Sequence, residues 1–213
     1  MQIQKINPKN FKALELDTAV KILKSGGVIV YPTETAYALG ADFQSKKATD
    51  KIYKIKHRRA NFLLPAIVAN ISMAKKIVHF SKKAQDLADR FWPGPATLVL
   101  EVKPKMYEYT KKPGNEFLRP YRNLALRVSS NKIAQNLSKK FGCAIISTSA
   151  NIHGKDACYS VEDVLEQLGD NKVKPDLILD AGPLPKVKPS AIIKVTGEKV
   201  EILRPGPVKL KYQ

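Results

Sequence analysis

The sequence predicts a mixed α/β fold with roughly seven or eight strands. Short apolar runs such as Val28–Tyr31 and Ala144–Ile146 have the length of interior strands and end in polar turns. They alternate along the chain with segments that have helical periodicity. The chain has 213 residues, of which 44% are hydrophobic, so it can bury one full core. We therefore expect a single domain over residues 1–213.

Helices are predicted where an apolar stripe follows a capping residue. Asp17 is expected to cap the first helix, which should end at Gly26-Gly27, and its apolar face consists of Leu16, Ala19, Val20 and Leu23. The other predicted N-caps are Ser45, Asn70, Ser81, Ser130 or Asn131, and Ser160. The helix that starts at Ser45 should run through about Lys56, and Ser160 should form a capping box with Asp163. The helix after Ser81 should end at Phe91-Trp92-Pro93-Gly94-Pro95, because neither proline nor glycine continues a helix.

Strands are predicted from apolar and β-branched runs between these helices. They cover residues 28–31, 62–68, 96–102, 124–128, 144–146, 177–180, 191–195 and 200–203. The last two should form a hairpin around Thr196-Gly197-Glu198. The proline-rich and basic segment Lys103–Asn123 is the least regular stretch, and we interpret it either as a functional loop or as a solvated excursion.

The charge balance limits the class of partner. Lysine and arginine number 37 against 19 acidic residues, which gives a formal net charge of +18. Such a field attracts nucleic acids, nucleotides and other phosphate or carboxylate ligands. A lysine-rich surface is also common on well-solvated proteins, so charge alone does not choose a function.

Other features exclude several classes of protein and site. No apolar run approaches the ~20 residues that span a bilayer, and the N-terminus lacks the pattern of a signal peptide. We expect a soluble, cytoplasmic protein without a membrane partner. Cys143 and Cys158 have no metal-ligand spacing, and the histidines are scattered, so no metal site is predicted.

Polar residues cluster where two predicted strands end. Thr33, Glu34 and Thr35 follow Pro32, and Ser147-Thr148-Ser149-Ala150-Asn151 follows Ala144–Ile146. Ligands in open α/β sheets bind beyond the carboxyl ends of the strands. Cations are available at Lys56, Arg58, Arg127 and Arg204. There is no Walker loop and no GxGxxG motif, so a nucleotide site must be built from side chains and strand-end amides.

Five motifs in order resemble the YrdC/TsaC-like threonylcarbamoyl-AMP synthases. They are Pro32-Thr33-Glu34-Thr35-Ala36-Tyr37-Ala38-Leu39-Gly40, Lys56-His57-Arg58, Phe91-Trp92-Pro93-Gly94-Pro95-Ala96-Thr97-Leu98, Ser147-Thr148-Ser149-Ala150-Asn151 and Leu203-Arg204-Pro205-Gly206. The resemblance covers about residues 17–207. It implies a twisted open mixed sheet flanked by helices, with a concave basic face. It also implies the reaction of L-threonine, bicarbonate and ATP to threonylcarbamoyl-AMP and pyrophosphate, for modification of adenosine 37 in transfer RNA.

The resemblance also implies roles for individual residues. Arg127 would bind the carboxylate of threonine, and Thr33, Ser149 and Ser190 would complete the threonine site. The residues implied for ATP are Arg58, Asn61, Asn151, Ser160 and Arg204. Lys56 and Arg58 would act in catalysis, with Lys56 relieving charge at the phosphates and Mg²⁺ accompanying ATP. The implied downstream partner is the transferase machinery that modifies transfer RNA.

Two other interpretations stay open. Ala36-Tyr37-Ala38 replaces the family's Val-Tyr-Gly, and Asn61 stands one residue closer to Arg58 than in the family pattern. These departures resemble the YciO-like branch, whose members would act on another small molecule. Alternatively, the basic face would bind transfer RNA or double-stranded RNA as a non-enzymatic module, although such a module has no use for converging neutral side chains.

Overall fold

The described structure is a computed structural model that covers residues 1–59, 64–104 and 122–209. Its strands are β1 Gln2–Lys5, β2 Ile29–Pro32, β3 Tyr37–Gly40, β4 Ala66–Ile67, β5 Ala96–Glu101, β6 Asn123–Arg127, β7 Ile145–Ile146, β8 Thr148–Ser149, β9 Leu177–Asp180, β10 Ala191–Thr196 and β11 Lys199–Arg204. Its helices are α1 Asp17–Lys24, α2 Lys46–Ile55, α3 Ile71–Ile77, α4 Lys82–Phe91, α5 Lys132–Phe141 and α6 Val161–Leu168. The predicted mixed α/β class is confirmed.

The strands form two mixed sheets, whereas the sequence predicted one. Sheet one has the order β1-β9-β2-β3-β8, and sheet two has the order β11-β10-β5-β6-β4-β7. In sheet one, β2 pairs parallel with β9 and antiparallel with β3. In sheet two, β5 lies between parallel β10 and antiparallel β6. The chain crosses from sheet two to sheet one at Ser147, the one residue between β7 and β8.

Strand β2 shows why sheet one is buried on both faces. Successive side chains of a strand point to opposite faces. Val28 and Val30 pack in a cluster that includes Leu98 and Leu126 of sheet two. Ile29 and Tyr31 pack in a second cluster, whose other members include Leu16, Leu23, Ile133 and Leu137 from the α1 and α5 regions. Sheet one is therefore a middle layer between sheet two and these two helices.

Most predicted helix starts are confirmed. The side chains of Ser45, Asn70, Ser81 and Asn131 each accept a hydrogen bond from the first turn of a helix, and Ser160 forms its capping box with Asp163. The prediction for Asp17 was wrong. A short 3-10 helix, Ala13–Leu16, runs directly into α1, so Asp17 is already the first helical residue and Leu16 precedes it. The carboxylate of Asp17 instead pairs with Lys140 at the end of α5.

Several boundaries differ from the sequence prediction. Residues 62 and 63 of the predicted strand 62–68 lie outside the described residues, and within residues 64–68 the strand comprises Ala66–Ile67, where β6 and β7 pair with it. Strands β1, β3 and β8 were not predicted, and β3 consists of the small-residue segment that follows the first polar turn. Most of the basic segment Lys103–Asn123 lies outside the described residues. Within the described part of the chain, no helix is long and apolar enough to span a membrane.

Candidate active site

A cavity of about 530 Å³ lies between the two sheets. Volumes of ~300–1,000 Å³ are typical of small-molecule sites. Sheet one contributes the turn after β2 together with parts of β3 and β8, and sheet two contributes residues of β5, β6, β10 and β11. Five cationic residues line this cavity, namely Lys56, Arg58, Arg127, Lys155 and Arg204.

The turn 33–36 closes one end of the cavity and is organised by Thr33. Pro32 cannot donate a ladder hydrogen bond, so the pairing of β2 ends there. The hydroxyl of Thr33 donates to Ala36 O at 2.7 Å and accepts hydrogen bonds from the amides of Thr35 and Ala36 at 3.2 Å each. The threonine side chain thus folds the loop that brings Thr35 and Ala36 to the cavity.

Lys56 lies directly after α2, and its ammonium group connects two of the motifs. Nζ donates to Ser149 O at 2.6 Å, to Asn151 O at 2.9 Å and to Asn151 Oδ1 at 3.0 Å. An ammonium has three donors, so this network uses all of them. Lys56 is 2% exposed. Burial, reinforced by the neighbouring charge of Arg58, lowers its pKa from 10.5 to about 8.

The segment 149–151 is held by this lysine and by sheet one. Ser149 Oγ donates to Asn151 Oδ1 at 2.6 Å. The amide of Ala150 donates to Tyr37 O at 2.9 Å, which extends the pairing of β3 with β8. The K-x-R and S-x-N motifs, separate in the sequence, therefore form one hydrogen-bonded unit. The predicted phosphate role of Lys56 stays a prediction, and the geometry adds a role in holding this segment.

Arg127, the last residue of β6, is paired with a carboxylate. Its Nη1 donates to Glu34 Oε1 at 2.8 Å and to Thr35 Oγ1 at 3.4 Å. The side chains of Arg127 and Glu34 are 8% and 14% exposed. Glu34 Oε2 also accepts a short hydrogen bond from Ser129 Oγ. Arg127 therefore reaches the cavity with one nitrogen already engaged.

Arg204 ends β11 on the other side of the cavity. Its Nε and Nη2 donate to Ser190 O at 3.0 and 2.8 Å, and the hydroxyl of Ser190 lies 3.0 Å from that of Thr97. Burial, and secondarily the like charge of Arg127, lower the pKa of Arg204. The two guanidinium groups thus act on each other across the site, an arrangement that a bound anion would relieve.

The structure brings most of the predicted site residues together. Thr33, Lys56, Arg58, Arg127, Ser149, Asn151, Ser190 and Arg204 all line the cavity. Ser160 is not among the lining residues, and its hydroxyl accepts a hydrogen bond from the amide of Asp163 at 3.1 Å. Asn61 lies outside the described residues. The roles predicted for Ser160 and Asn61 stay predictions.

Sequence reasoning placed Thr35, Ser147 and Thr148 in the two polar clusters but gave them no individual role. It missed other residues of the cavity wall, which include Thr97, His153, Lys155 and Tyr159. Most of them flank a predicted site residue, so the run of polar residues around Thr33 and Asn151 was the available signal. Thr97 had a different signal, its place one residue inside a strand that begins after Pro93-Gly94-Pro95.

The Phe91–Leu98 motif serves mainly to position strands. Trp92 Nε1 donates to Ala96 O at 2.6 Å, and the amide of Gly94 donates to Val128 O at 2.8 Å. The amide of Ala191 donates to Pro95 O at 3.0 Å. The motif therefore joins the starts of β5 and β10 to the end of β6, where Thr97, Ser190 and Arg127 meet.

Comparison with known proteins assigns the family. The sequence model Sua5_yciO_yrdC, described as "Telomere recombination", matches residues 21–206. This chain belongs to the Sua5/YciO/YrdC family. The threonylcarbamoyl-AMP synthase of Vibrio campbellii is 30% identical over 201 residues, which cover 93% of this chain and 100% of the relative.

Two solved structures of the Sua5/YciO/YrdC family resemble this chain equally well. P. abyssi Sua5 complexed with L-threonine has a TM-score of 0.83 at 28% identity, with 97% of this chain and 58% of Sua5 covered. This chain thus spans little more than half of Sua5. E. coli YciO also has a TM-score of 0.83 at 28% identity, and 99% of this chain and 98% of YciO are covered.

Proposed function

We propose that this protein is a threonylcarbamoyl-AMP synthase, a nucleotidyltransferase that converts L-threonine, bicarbonate and ATP into threonylcarbamoyl-AMP and pyrophosphate. One observation carries the proposal: five cationic residues converge with neutral hydroxyl and amide groups in one cavity between the sheets. All three substrates carry anionic groups, and their reaction requires alignment and charge relief. The relative from Vibrio campbellii, which matches over its whole length, bears the name of this activity.

We assign threonine to the part of the cavity near the first turn. Arg127 would bind its carboxylate by charge-assisted hydrogen bonds. Thr33, Ser149 and Ser190 would surround its amine and hydroxyl groups. The L-threonine in the related P. abyssi Sua5 structure supports a threonine site in this fold.

We assign ATP to the remaining cations and to the segment 149–151. Arg58, Asn151 and Arg204 line the same cavity and would hold the nucleotide, together with Asn61 and Ser160 as predicted from the sequence. The described residues contain no group of three or more His, Cys, Asp and Glu side chains that could hold a metal ion. Mg²⁺ binds phosphate oxygens readily, and we propose that it enters with the phosphates of ATP as part of the substrate.

The reaction has two bond-forming steps. The amine nitrogen of threonine attacks the carbon of bicarbonate or of an activated form, and loss of water gives a carbamate. A carbamate oxygen then attacks the α-phosphorus of ATP, and the bond to the pyrophosphate oxygen breaks. The protein's contribution is to align the reactants and to offset negative charge with Lys56, Arg58 and Arg204.

The product is a mixed anhydride, so a second protein must use it. A transferase that moves the threonylcarbamoyl group to adenosine 37 of transfer RNA fits this chemistry. Direct RNA binding by the basic face stays a prediction, because the net charge of +18 that motivates it is unspecific.

One observation favours a second candidate, a YciO-like activity on another small molecule. E. coli YciO matches this chain over nearly the full length of both proteins, and the departures at Ala36 and Ala38 lie beside the cavity. Both K-x-R and S-x-N motifs are present and physically joined through Lys56. That joined pair favours the synthase.

Pyrophosphate release separates these candidates. Purified protein with Mg²⁺, ATP, bicarbonate and labelled threonine should release pyrophosphate and form a labelled adenylate. Omission of either threonine or bicarbonate should abolish release, because the carbamate needs both. Release that does not depend on threonine, or no release at all, would contradict the synthase assignment.

A further inference from the structure

Glu34 is a partly buried carboxylate beside the cavity wall, with a side chain that is 14% exposed. Its neighbours Thr33 and Thr35 line the cavity, whereas Glu34 is not among the lining residues. Its Oε1 accepts a hydrogen bond from Arg127 Nη1 at 2.8 Å, and its Oε2 accepts one from Ser129 Oγ. The side chain of Glu34 therefore contacts the predicted threonine ligand Arg127 without itself lining the cavity.

Ser129 anchors this carboxylate to the rest of the fold. Ser129 is fully buried, and its Oγ accepts a hydrogen bond from the amide of Asn131 at 3.2 Å, beside the N-terminus of α5. The side chain of Gln135 donates to Ser129 O at 2.5 Å. A continuous set of hydrogen bonds thus runs from α5 through Ser129 and Glu34 to the guanidinium group.

The pairing determines which part of Arg127 can bind a substrate. Within the described part of the chain, the guanidinium group of Arg127 donates its hydrogen bonds through Nη1. A guanidinium group binds a carboxylate best with two parallel N–H donors. With Nη1 engaged, the edge formed by Nε and Nη2 supplies such a pair. A long side chain that is held at one nitrogen also loses less freedom when it binds a ligand.

We propose that Glu34 is a positioning residue that holds Arg127 so that its Nε and Nη2 edge meets the carboxylate of the amino-acid substrate. The inference rests on the proposed function for the identity of that substrate. Glu34 acts through Arg127, and Ser129 supports Glu34. Glu34 also offsets the charge of Arg127, which otherwise faces the like charge of Arg204.

The first test is Glu34→Gln, which keeps the shape of the side chain and removes its charge. Calorimetry should show threonine binding about ten- to hundredfold weaker, the size expected for a lost charge-assisted hydrogen bond. The KM for threonine should rise by a similar factor, while the KM for ATP and kcat change about twofold or less. Ser129→Ala, which leaves the ion pair in place, should weaken threonine binding in the same direction but less.

A double-mutant cycle separates positioning from a general loss of structure. In the Arg127→Lys background, threonine binding is already weakened, and adding Glu34→Gln should weaken it little further. Additive effects in the cycle would overturn the proposal, and so would equal losses for threonine and ATP. If Glu34→Gln does not fold, Ser129→Ala carries the same comparison, and unchanged threonine affinity in that variant overturns the proposal.

The wild-type protein distinguishes this inference from the proposed reaction. If the wild-type protein binds threonine but releases no pyrophosphate, only the proposed reaction is overturned. The binding measurements would then still test the positioning role of Glu34. Protein that does not bind threonine would overturn both.

Discussion

At the residue scale, Lys56 has an environment that departs strongly from what its type suggests. A lysine beside an arginine in a polar motif is expected at the surface, yet Lys56 is 2% exposed and bonded to the segment 149–151. The K-x-R spacing indicated a cationic site. It contained no information on which oxygen atoms would surround the ammonium group, because those belong to residues about ninety positions away.

The lowered pKa of Lys56 predicts a measurable pH dependence of stability. The folded-state pKa is about 8, below the ordinary 10.5, so between these values the unfolded chain holds the extra proton and stability rises with pH. Lys56→Met lacks this contribution. The difference in unfolding free energy between wild type and variant should therefore shift in favour of the wild type by roughly 1–2 kcal/mol between pH 8 and pH 9.5.

Urea unfolding of both proteins at the two pH values provides this measurement. Other titrating groups cancel in the difference, and Lys54→Met at the exposed last turn of α2 is the matched control. A difference that stays constant with pH for both variants would show that Lys56 titrates as an ordinary lysine.

At the element scale, local signals predicted the starts of helices well and the short strands poorly. Ser45, Asn70, Ser81 and Asn131 cap helices through their own side chains, which is a property of a few consecutive residues. Strands β4, β7 and β8 have two residues each and exist because partners lie beside them. The sequence predicted β4 and β7 only as parts of longer runs, 62–68 and 144–146, and did not predict β8, because the pairing that defines such short strands has no local signal.

Two glycines permit a prediction about the element that contributes Arg204. A Cβ on Gly206 would lie 2.7 Å from Ala191 Cα and still closer to its nitrogen, which real side chains do not permit. Gly206→Ala should therefore displace the end of β11 from β10. Because Arg204 bonds to Ser190 O, ATP and threonine affinity should fall at least tenfold, a rough expectation for a misplaced ligand group.

Gly142→Ala is the matched control for this change. Gly142 ends α5 with φ +85° and has open space around the position of a Cβ. Its substitution should lower stability by roughly 1 kcal/mol through backbone strain alone and leave ligand affinity unchanged. Calorimetric titration of Gly206→Ala and Gly142→Ala with ATP and with threonine provides the measurement. Equal affinities in the two variants would show that β11 does not position Arg204.

At the scale of the whole molecule, the residue types and their order predicted the fold class, and most of the predicted site residues line one cavity. The number of sheets could not be predicted, since it depends on pairings such as β3 with β8 and β4 with β7 that join distant segments. The ion pair between Glu34 and Arg127 was missed for the same reason. The sequence pattern identified Glu34 only as part of a polar turn. It contained no information on its partner Arg127, which lies 93 residues away in the sequence.

The net charge of +18 predicts that the two substrates respond differently to salt. ATP is a polyanion attracted by the field of the whole protein, whereas threonine is a zwitterion with no net charge. Raising the salt from ~50 to ~500 mM shortens the screening length from roughly 14 to 4 Å. The association rate of ATP should fall about tenfold or more, and that of threonine about twofold or less. Stopped-flow measurements of both association rates test this. Equal falls for ATP and threonine would contradict the prediction and would mean that the charges that matter act on threonine as well.

Ser147 has a consequence for selectivity between substrates. The amide of Ile146 bonds to Ala41 O and that of Ser147 to Pro65 O, both at 2.8 Å, so the crossing between the sheets is fastened on either side of the cavity. The covalent chain therefore fixes the distance between the two walls at this end of the cavity. Threonine and serine, which differ by one methyl group, are both small enough to fit between these walls. We therefore expect amino acids with longer side chains to bind more weakly than threonine, because the hydrogen bonds at the crossing resist movement of the walls apart.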